Sequence, residues 1–123
     1  MKVLIVEDEA SGRKLVEMML ARDHQVKAVE SVDAALQRIQ AEPWDLIVTD
    51  YKMPGKTGVE LITTLQSDGS NIPIILMTGQ SSKDEGVDKV KPYVFKVLSK
   101  PFSRQDLISA VASATENISS GTV

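Results

Sequence analysis

Three stretches of this chain are apolar at every consecutive position: Val3-Leu4-Ile5-Val6, Leu46-Ile47-Val48 and Ile74-Ile75-Leu76-Met77. A strand with one face in water alternates polar and apolar residues, and an amphipathic helix breaks its apolar positions every third or fourth residue. Uninterrupted short runs belong to strands covered on both faces, as in a parallel sheet flanked by helices. The segments between the runs carry helical patterns. Strand one, Lys2 to Val6, precedes a helix over Ser11 to Arg22, with Leu15, Met18, Met19 and the stem of Arg22 at helical spacing. Strand two, Gln25 to Val29, is the least apolar. Ser31 is an N-cap for a helix over Val32 to Gln40, with Ala35, Leu36 and Ile39 inward. Strand three spans Trp44 to Thr49, a loop follows from Asp50 to Thr57, and Gly58 to Gln66 is helical with Leu61, Ile62 and Leu65 on one stripe. Strand four spans Ile72 to Met77, with Pro73 near its start, where a missing N–H is tolerated. A short helix is expected over Lys83 to Val90 and a fifth strand over Tyr93 to Leu98. Ser103-Arg104-Gln105-Asp106 has the form of a capping box with Asp in the last place, and the helix it opens ends near Glu116. Residues 117–123 then read as a flexible tail or the start of a linker beyond a domain of residues 1–116.

Five strands alternating with five helices give an α/β chain: a (βα)5 three-layer sandwich around a central parallel five-stranded sheet. Right-handed crossovers and 123 residues favour the flavodoxin-like strand order 2-1-3-4-5 in one domain. The chain has no Cys, so disulfides and thiolate metal sites are excluded. Its apolar runs are too short to span a membrane, and Met1 to Asp8 turns acidic too soon for a signal peptide. A cytoplasmic location is expected. The net charge of −3 weighs against nucleic acid as a direct partner.

In open α/β sheets ligands bind beyond the carboxyl ends of the strands. Glu7 and Asp8 follow strand one, Asp50 follows strand three, Thr78 follows strand four, and Lys100 and Pro101 follow strand five. In the order 2-1-3-4-5 these ends are neighbours, so carboxylates, a hydroxyl and an ammonium converge on one crevice. Oxygen-only ligands suit Mg²⁺, or Mn²⁺ in its place, rather than zinc. A carboxylate can act as nucleophile and form an acyl phosphate. A Lys and a hydroxyl aimed at the same point would stabilise phosphoryl oxygens. Each feature alone has a plainer reading: an acidic first helical turn at Glu7-Asp8-Glu9, turn formers at Asp50 and Thr78-Gly79, a helix lead-in at Lys100-Pro101. Their coincidence at four strand ends carries the argument for phosphoryl transfer onto an Asp.

Four motifs, in this order and spacing, tie the chain to a known family: Val3-Leu4-Ile5-Val6-Glu7-Asp8-Glu9; Asp50-Tyr51-Lys52-Met53-Pro54-Gly55 with Gly58 after it; Met77-Thr78; and Lys100-Pro101-Phe102. Over nearly its whole length the chain resembles the receiver domain of bacterial two-component response regulators. The resemblance implies that Asp50 is the phospho-acceptor, taking its phosphoryl group from a sensor histidine kinase or a phosphotransfer protein. It implies that Asp8 and Asp50 bind Mg²⁺ directly, joined by the backbone carbonyl of Lys52, with Glu7 acting through water. Lys100 would pair with the phosphoryl group across a cis bond to Pro101, and Thr78 would move toward a phosphoryl oxygen. The readout face in relatives is helix four, strand five and helix five, here about Lys83 to Thr115, which would switch an output domain or target protein. Relatives are monomers or phosphorylation-dependent homodimers.

The chain departs from the family pattern at Val97, where an aromatic is usual, and at Gly79, where Ala is usual. A valine has little χ1 freedom and no ring to swing, which leaves Tyr93 or Phe95 to take that part. Lys52 and Gln80 occupy positions that tune acyl-phosphate lifetime in the family, and Lys52 leans toward a longer one. The lone His24 lies in a polar turn and reads as solvated, so a Ser/His/Asp triad has no support. Trp44, Met18 and Met19 read as packing residues, and Lys89, Lys91 and Lys96 as a solvated face. Rival readings are an aspartyl-phosphate phosphatase, an FMN binder and a phosphorylation-independent protein-binding module. The phosphatase wants a second Asp where Lys52 stands. The FMN binder wants a Ser/Thr/Gly loop where Glu7-Asp8-Glu9 stands. The complete set of Glu7, Asp8, Asp50, Thr78 and Lys100 argues against the binding module, and Val97 keeps it open as the alternative.

Overall fold

A computed structural model describes residues 1–53, 55–79 and 85–120. In chain order the elements are β1 (Lys2–Val6), α1 (Ala10–Ala21), β2 (Gln25–Val29), α2 (Val32–Ala41), β3 (Leu46–Asp50), α3 (Gly58–Ser67), β4 (Ile74–Thr78), α4 (Glu85–Val90), a 3₁₀ turn at Lys91–Tyr93, β5 (Lys96–Ser99) and α5 (Arg104–Ser120). All neighbouring strands pair in parallel, in the order β2-β1-β3-β4-β5. This is the expected three-layer α/β sandwich.

The uninterrupted apolar runs are explained by the two cores. Along β1, β3 and β4, alternate side chains point to opposite faces. Leu4, Val6, Ile47, Ile74 and Leu76 pack beneath α2, α3 and α4, with Val32, Ala35, Leu61, Ile62, Leu65, Val87 and Val90. Val3, Ile5, Leu46, Val48, Ile75 and Met77 pack beneath α1 and α5, with Val16, Leu20, Leu107, Ala110, Val111 and Ala114. Each fully buried Leu or Ile contributes about 1.5–3 kcal/mol of transfer free energy. The edge strands β2 and β5 are thinner in apolar residues and expose Lys27 and Lys96, which discourages edge pairing.

Local signals act as read. Ser31 Oγ accepts from Ala34 N at 3.1 Å, capping α2. Ser103 and Asp106 form a reciprocal capping box: Asp106 N donates to Ser103 Oγ and Ser103 N donates to Asp106 Oδ2, both at 3.0 Å. Trp44 is buried ahead of β3, and its Nε1 donates to the Arg38 carbonyl at 3.0 Å.

Several boundaries and faces differ from expectation. The buried stripe of α1 is Val16 and Leu20, with Met19 beside it; Leu15 and Met18 are 54% and 64% exposed. Apolar residues crowd this segment, so two stripes about 100° apart fit the helical period equally, and docking on β1 selects the one bearing Val16. β3 and β4 each run to one residue past their expected ends, so that Asp50 and Thr78 are strand residues. β5 starts at Lys96, because the segment before it closes as the 3₁₀ turn that contains Pro92. α5 continues to Ser120, so the expected tail boundary after Glu116 gives way to helix, and 121–123 lie outside the described residues. The expected start of the fourth helix at Lys83, and the positions Pro54 and Gln80, also lie outside them.

Candidate functional site

The carboxyl edge of the sheet gathers the polar strand-end residues. Asp50 closes β3 and is 6% exposed, and Glu7 follows β1 at 4% exposed. The Lys100 ammonium donates to Asp50 Oδ2 at 3.0 Å and to Glu7 Oε1 at 3.3 Å. Asp50 Oδ1 accepts from the Tyr51 N–H at 3.0 Å. Carboxylate oxygens of Glu7, Asp8 and Asp50 all lie within 4.8 Å of one another, with Asp8 the most open. The cleft beside them, about 480 Å³, is lined by these three residues with Glu9, Lys52, Met53 and Lys100. Strand register brings the acidic pair and the Lys together from opposite ends of the chain, through β1–β3, β3–β4 and β4–β5 pairing.

Electrostatics follow from this crowding. Burial pushes the Glu7 carboxyl up from 4.5 to about 8, and the hydrogen bond and charge of Asp50 add to it, against the pull of Lys100. Burial acts to lower the Lys100 ammonium, but Asp50 and then Glu7 outweigh it and leave it raised. With Glu7 ionised, two buried carboxylates would share one ammonium and be short of positive charge. Glu7 Oε2 is buried with no hydrogen-bond partner among the described residues. An orphaned acceptor beside an all-oxygen donor set fits a hard divalent cation whose bound waters could reach it.

Thr78 is 1% exposed and its Oγ1 also lacks a partner among the described residues. It lies one residue past Met77, the register partner of Asp50. Its hydroxyl residue borders a second cavity of about 480 Å³, walled by Val87, Val94, Phe95 and Val97. Val97 is half-buried at the position where an aromatic was expected in relatives. Of the two aromatics nearby, Phe95 packs against the α1–α5 core and also borders this cavity, and Tyr93 is 54% exposed. The Lys100–Pro101 bond is cis.

Two supporting residues, Arg13 and Gly12, escaped the sequence reading, which named a third, Gly58, only as part of a motif. Arg13 Nη1 donates to the carbonyls of Glu7 and Asp8 at 3.1 and 3.3 Å, tying the β1–α1 loop to its helix. A Cβ on Gly58 would lie 2.6 Å from the Asp50 carbonyl oxygen and 3.1 Å from Tyr51 Cα, so only glycine lets α3 start this close to the acceptor loop. A Cβ on Gly12 would lie 2.7 Å from Glu7 Oε1. The sequence marks glycines at element starts, but the close approaches that require them are visible only in three dimensions. His24 is not freely solvated: its Nδ1 lies 3.4 Å from the N-terminal ammonium, and burial is the first of the effects lowering its pKa.

Residues 3–112 match the family model of the response regulator receiver domain. The chain belongs to that family. It is 33% identical over 112 residues to the response regulator protein FleR of Pseudomonas aeruginosa, covering 90% of this chain and 24% of FleR. It is 30% identical over 122 residues to the phosphate regulon transcriptional regulatory protein PhoB of Escherichia coli, covering 96% of this chain and 53% of PhoB. The receiver therefore spans between a quarter and about half the length of these relatives. A solved structure of FixJ-N superposes with a TM-score of 0.84 at 34% identity, covering 94% of this chain and 93% of that one. The receiver is thus a module of two-component signalling, and no helix among its described residues is long and apolar enough to cross a membrane.

Proposed function

We propose that this receiver accepts a phosphoryl group on Asp50 in a Mg²⁺-dependent reaction, with a phosphohistidine on a sensor kinase or phosphotransfer protein as donor. An Asp50 carboxylate oxygen attacks phosphorus, the donor P–N bond breaks, and the imidazole leaves with the electron pair. Asp8, Asp50 and the Lys52 carbonyl would hold the cation, with Glu7 reaching it through water. When bound, Mg²⁺ supplies charge neutralisation for the incoming phosphoryl oxygens. Lys100 positions the Asp50 carboxylate and takes up negative charge as the P–O bond forms. Thr78 offers its unpartnered hydroxyl to the product, whose added charge is roughly −1.5 to −2. The observation that carries this reading is the buried Asp50 carboxylate, held at 3.0 Å by Lys100 and flanked by two more acids.

The domain is then the substrate of a cytoplasmic kinase and assists its own modification, rather than turning over an external substrate. Phosphorylation would bias the α4–β5–α5 face toward an output domain or target protein; FleR and PhoB carry such additional length. Residues 1–116 would supply the receiver. The test is intact mass after incubation with acetyl phosphate, with and without Mg²⁺, on the native protein and on Asp50→Ala. A single phosphoryl increment that needs both Mg²⁺ and Asp50 supports the proposal. No increment in a folded protein, with acetyl phosphate and with a phosphorylated histidine donor, overturns it.

A further inference from the structure

β1 ends at Val6 and α1 starts at Ala10, so the backbone of Glu7 and Asp8 belongs to neither ladder. Carbonyls left between two elements need donors from elsewhere. The Glu7 N–H still follows the sheet and donates to the Val29 carbonyl at 3.0 Å, while the Glu9 carbonyl takes the first helical bond, from Arg13 N at 2.8 Å. Among the described residues the carbonyls of Glu7 and Asp8 accept from one group only, Arg13 Nη1, at 3.1 and 3.3 Å. Arg13 is half-buried and enters no ion pair among the described residues. Its place also suits the helix poorly, since a cation in the first turn opposes the helix dipole. Neither an ion pair nor the dipole accounts for a guanidinium here; the two carbonyls do.

Those carbonyls belong to the backbone of the acidic loop. A peptide group moves as a plane, so pinning its oxygen restrains the dihedrals on either side of it. The peptide groups before and after Asp8 are both pinned by the same nitrogen. The Asp8 Cα is therefore held from both sides, which sets how its carboxylate reaches Glu7 and Asp50. We propose that Arg13 is a positioning residue for the cation cleft, acting through the peptide groups that carry Asp8 and not through its charge. The inference rests on the reading of that cleft as a Mg²⁺ site. The two modes of action have opposite signs. A guanidinium is always charged and repels a divalent ion held nearby, so by charge alone its removal would tighten binding. By position its removal frees the loop and weakens binding. Partners that orient metal ligands alter affinity by about 10–100-fold when removed, and a loop that keeps its other bonds should fall at the low end, about tenfold.

The experiment measures Mn²⁺ binding to the full chain, with free Mn²⁺ followed by its paramagnetic resonance signal. The proteins are the native chain, Arg13→Met and Leu20→Val, each titrated below the melting temperature it shows in chelator. Methionine keeps an apolar stem and removes the donors and the charge. Leu20→Val removes one buried methylene from the same helix about two turns further on, and so reports what destabilising α1 does by itself. Should Arg13→Met not fold, Arg13→Gln takes its place with the same expectation. Expected is about tenfold weaker Mn²⁺ binding by Arg13→Met, with Leu20→Val within about twofold of native. The Mg²⁺ concentration that half-saturates acyl-phosphate formation from acetyl phosphate should rise by the same factor in Arg13→Met, and by more than the rate at saturation falls. Unchanged or tighter Mn²⁺ binding by Arg13→Met overturns the proposal, since the guanidinium is then structural or acts by charge. So does an equal loss in Leu20→Val, which makes the effect one of helix stability, or a loss confined to the rate at saturation. Failure of the underlying site looks different: the native chain then binds no Mn²⁺, or binds it equally after Asp8→Ala.

Discussion

The Lys100 ammonium reaches back across the sheet to Asp50 Oδ2 at 3.0 Å, making the only cation contact to that carboxylate among the described residues. With Glu7 at 3.3 Å on the same ammonium, the group balances two nearly buried acids at once. Lys100→Ala removes the donor aimed at the reacting oxygens. Loss of one such donor lowers rates by about 10²–10³-fold. Acyl-phosphate formation from acetyl phosphate should slow by about that factor, read as a mass time course. The same change removes a competing cation, so Mg²⁺ affinity should rise. A rate within threefold of native would show that Lys100 serves the acids at rest and not the transfer.

Thr78 gives the opposite balance between stability and function. Its Oγ1 is buried without a partner among the described residues, a condition that costs about 1–3 kcal/mol relative to an apolar group of the same shape. Thr78→Val keeps the shape and removes the orphan. The variant should melt above the native temperature, by about 1–3 kcal/mol of added stability, while its phosphorylated form loses the hydroxyl contact. Thermal denaturation in chelator checks the first part; a lowered melting temperature would mean the hydroxyl has a partner at rest.

The raised Glu7 carboxyl sets a pH dependence of stability in the absence of metal. Its folded pKa of about 8 lies above its ordinary 4.5, so the folded state binds the proton more tightly over that interval. Stability is present at the acid end and is lost as pH rises through about 8, by at most about 1.4 kcal/mol per pH unit. His24 acts in the other direction but lower, since its pKa is depressed from 6.5 and its unfavourable protonation disappears above that value. Lys100, raised from 10.5, is unchanged over this interval. Between roughly pH 7 and 8.5 the melting temperature in chelator should fall, and Glu7→Gln should flatten the fall. An identical slope in the variant would assign it elsewhere.

Gly58 tests how tightly the acceptor loop is built. A Cβ there would meet backbone first, the Asp50 carbonyl oxygen at 2.6 Å and Tyr51 Cα at 3.1 Å, and Leu76 Cδ1 at 3.2 Å besides. Gly58 N also donates to the Tyr51 carbonyl at 2.8 Å, fixing α3 against the loop. Gly58→Ala should therefore destabilise by about 1–3 kcal/mol despite the better helix propensity of alanine. Urea denaturation is the measurement, and a stability equal to native would show that the loop yields.

What the sequence disclosed and what it withheld have separate physical causes. The three unbroken apolar runs admit little besides a doubly covered parallel sheet, and strand order then brings Glu7, Asp8, Asp50, Thr78 and Lys100 to one edge. Periodicity of two and of 3.6 and the caps at Ser31 and Ser103 are local, and local signals are legible. The contacts of Gly12, Gly58 and Arg13 depend on distances between elements, which spacing along the chain does not encode. The helix of α5 runs on through Ser120 because Ser and Asn tolerate helix when nothing breaks it; the polar composition that suggested a tail contains no proline before the end. The face of α1 was ambiguous for a third reason, an excess of apolar residues.

That ambiguity has a direct test. Leu20 is 2% exposed in the core beneath α1, whereas Met18 is 64% exposed on the same helix two residues away. Both are apolar and both fit a helical stripe, so composition does not separate them. Leu20→Ala should cost about 2–5 kcal/mol through lost burial and the cavity left behind. Met18→Ala deletes a side chain already in water and should change stability by no more than about 0.5 kcal/mol. Urea midpoints of the two variants measured side by side give the comparison; a larger loss at Met18 would rotate α1 by about 100° and return the inward stripe to Leu15 and Met18.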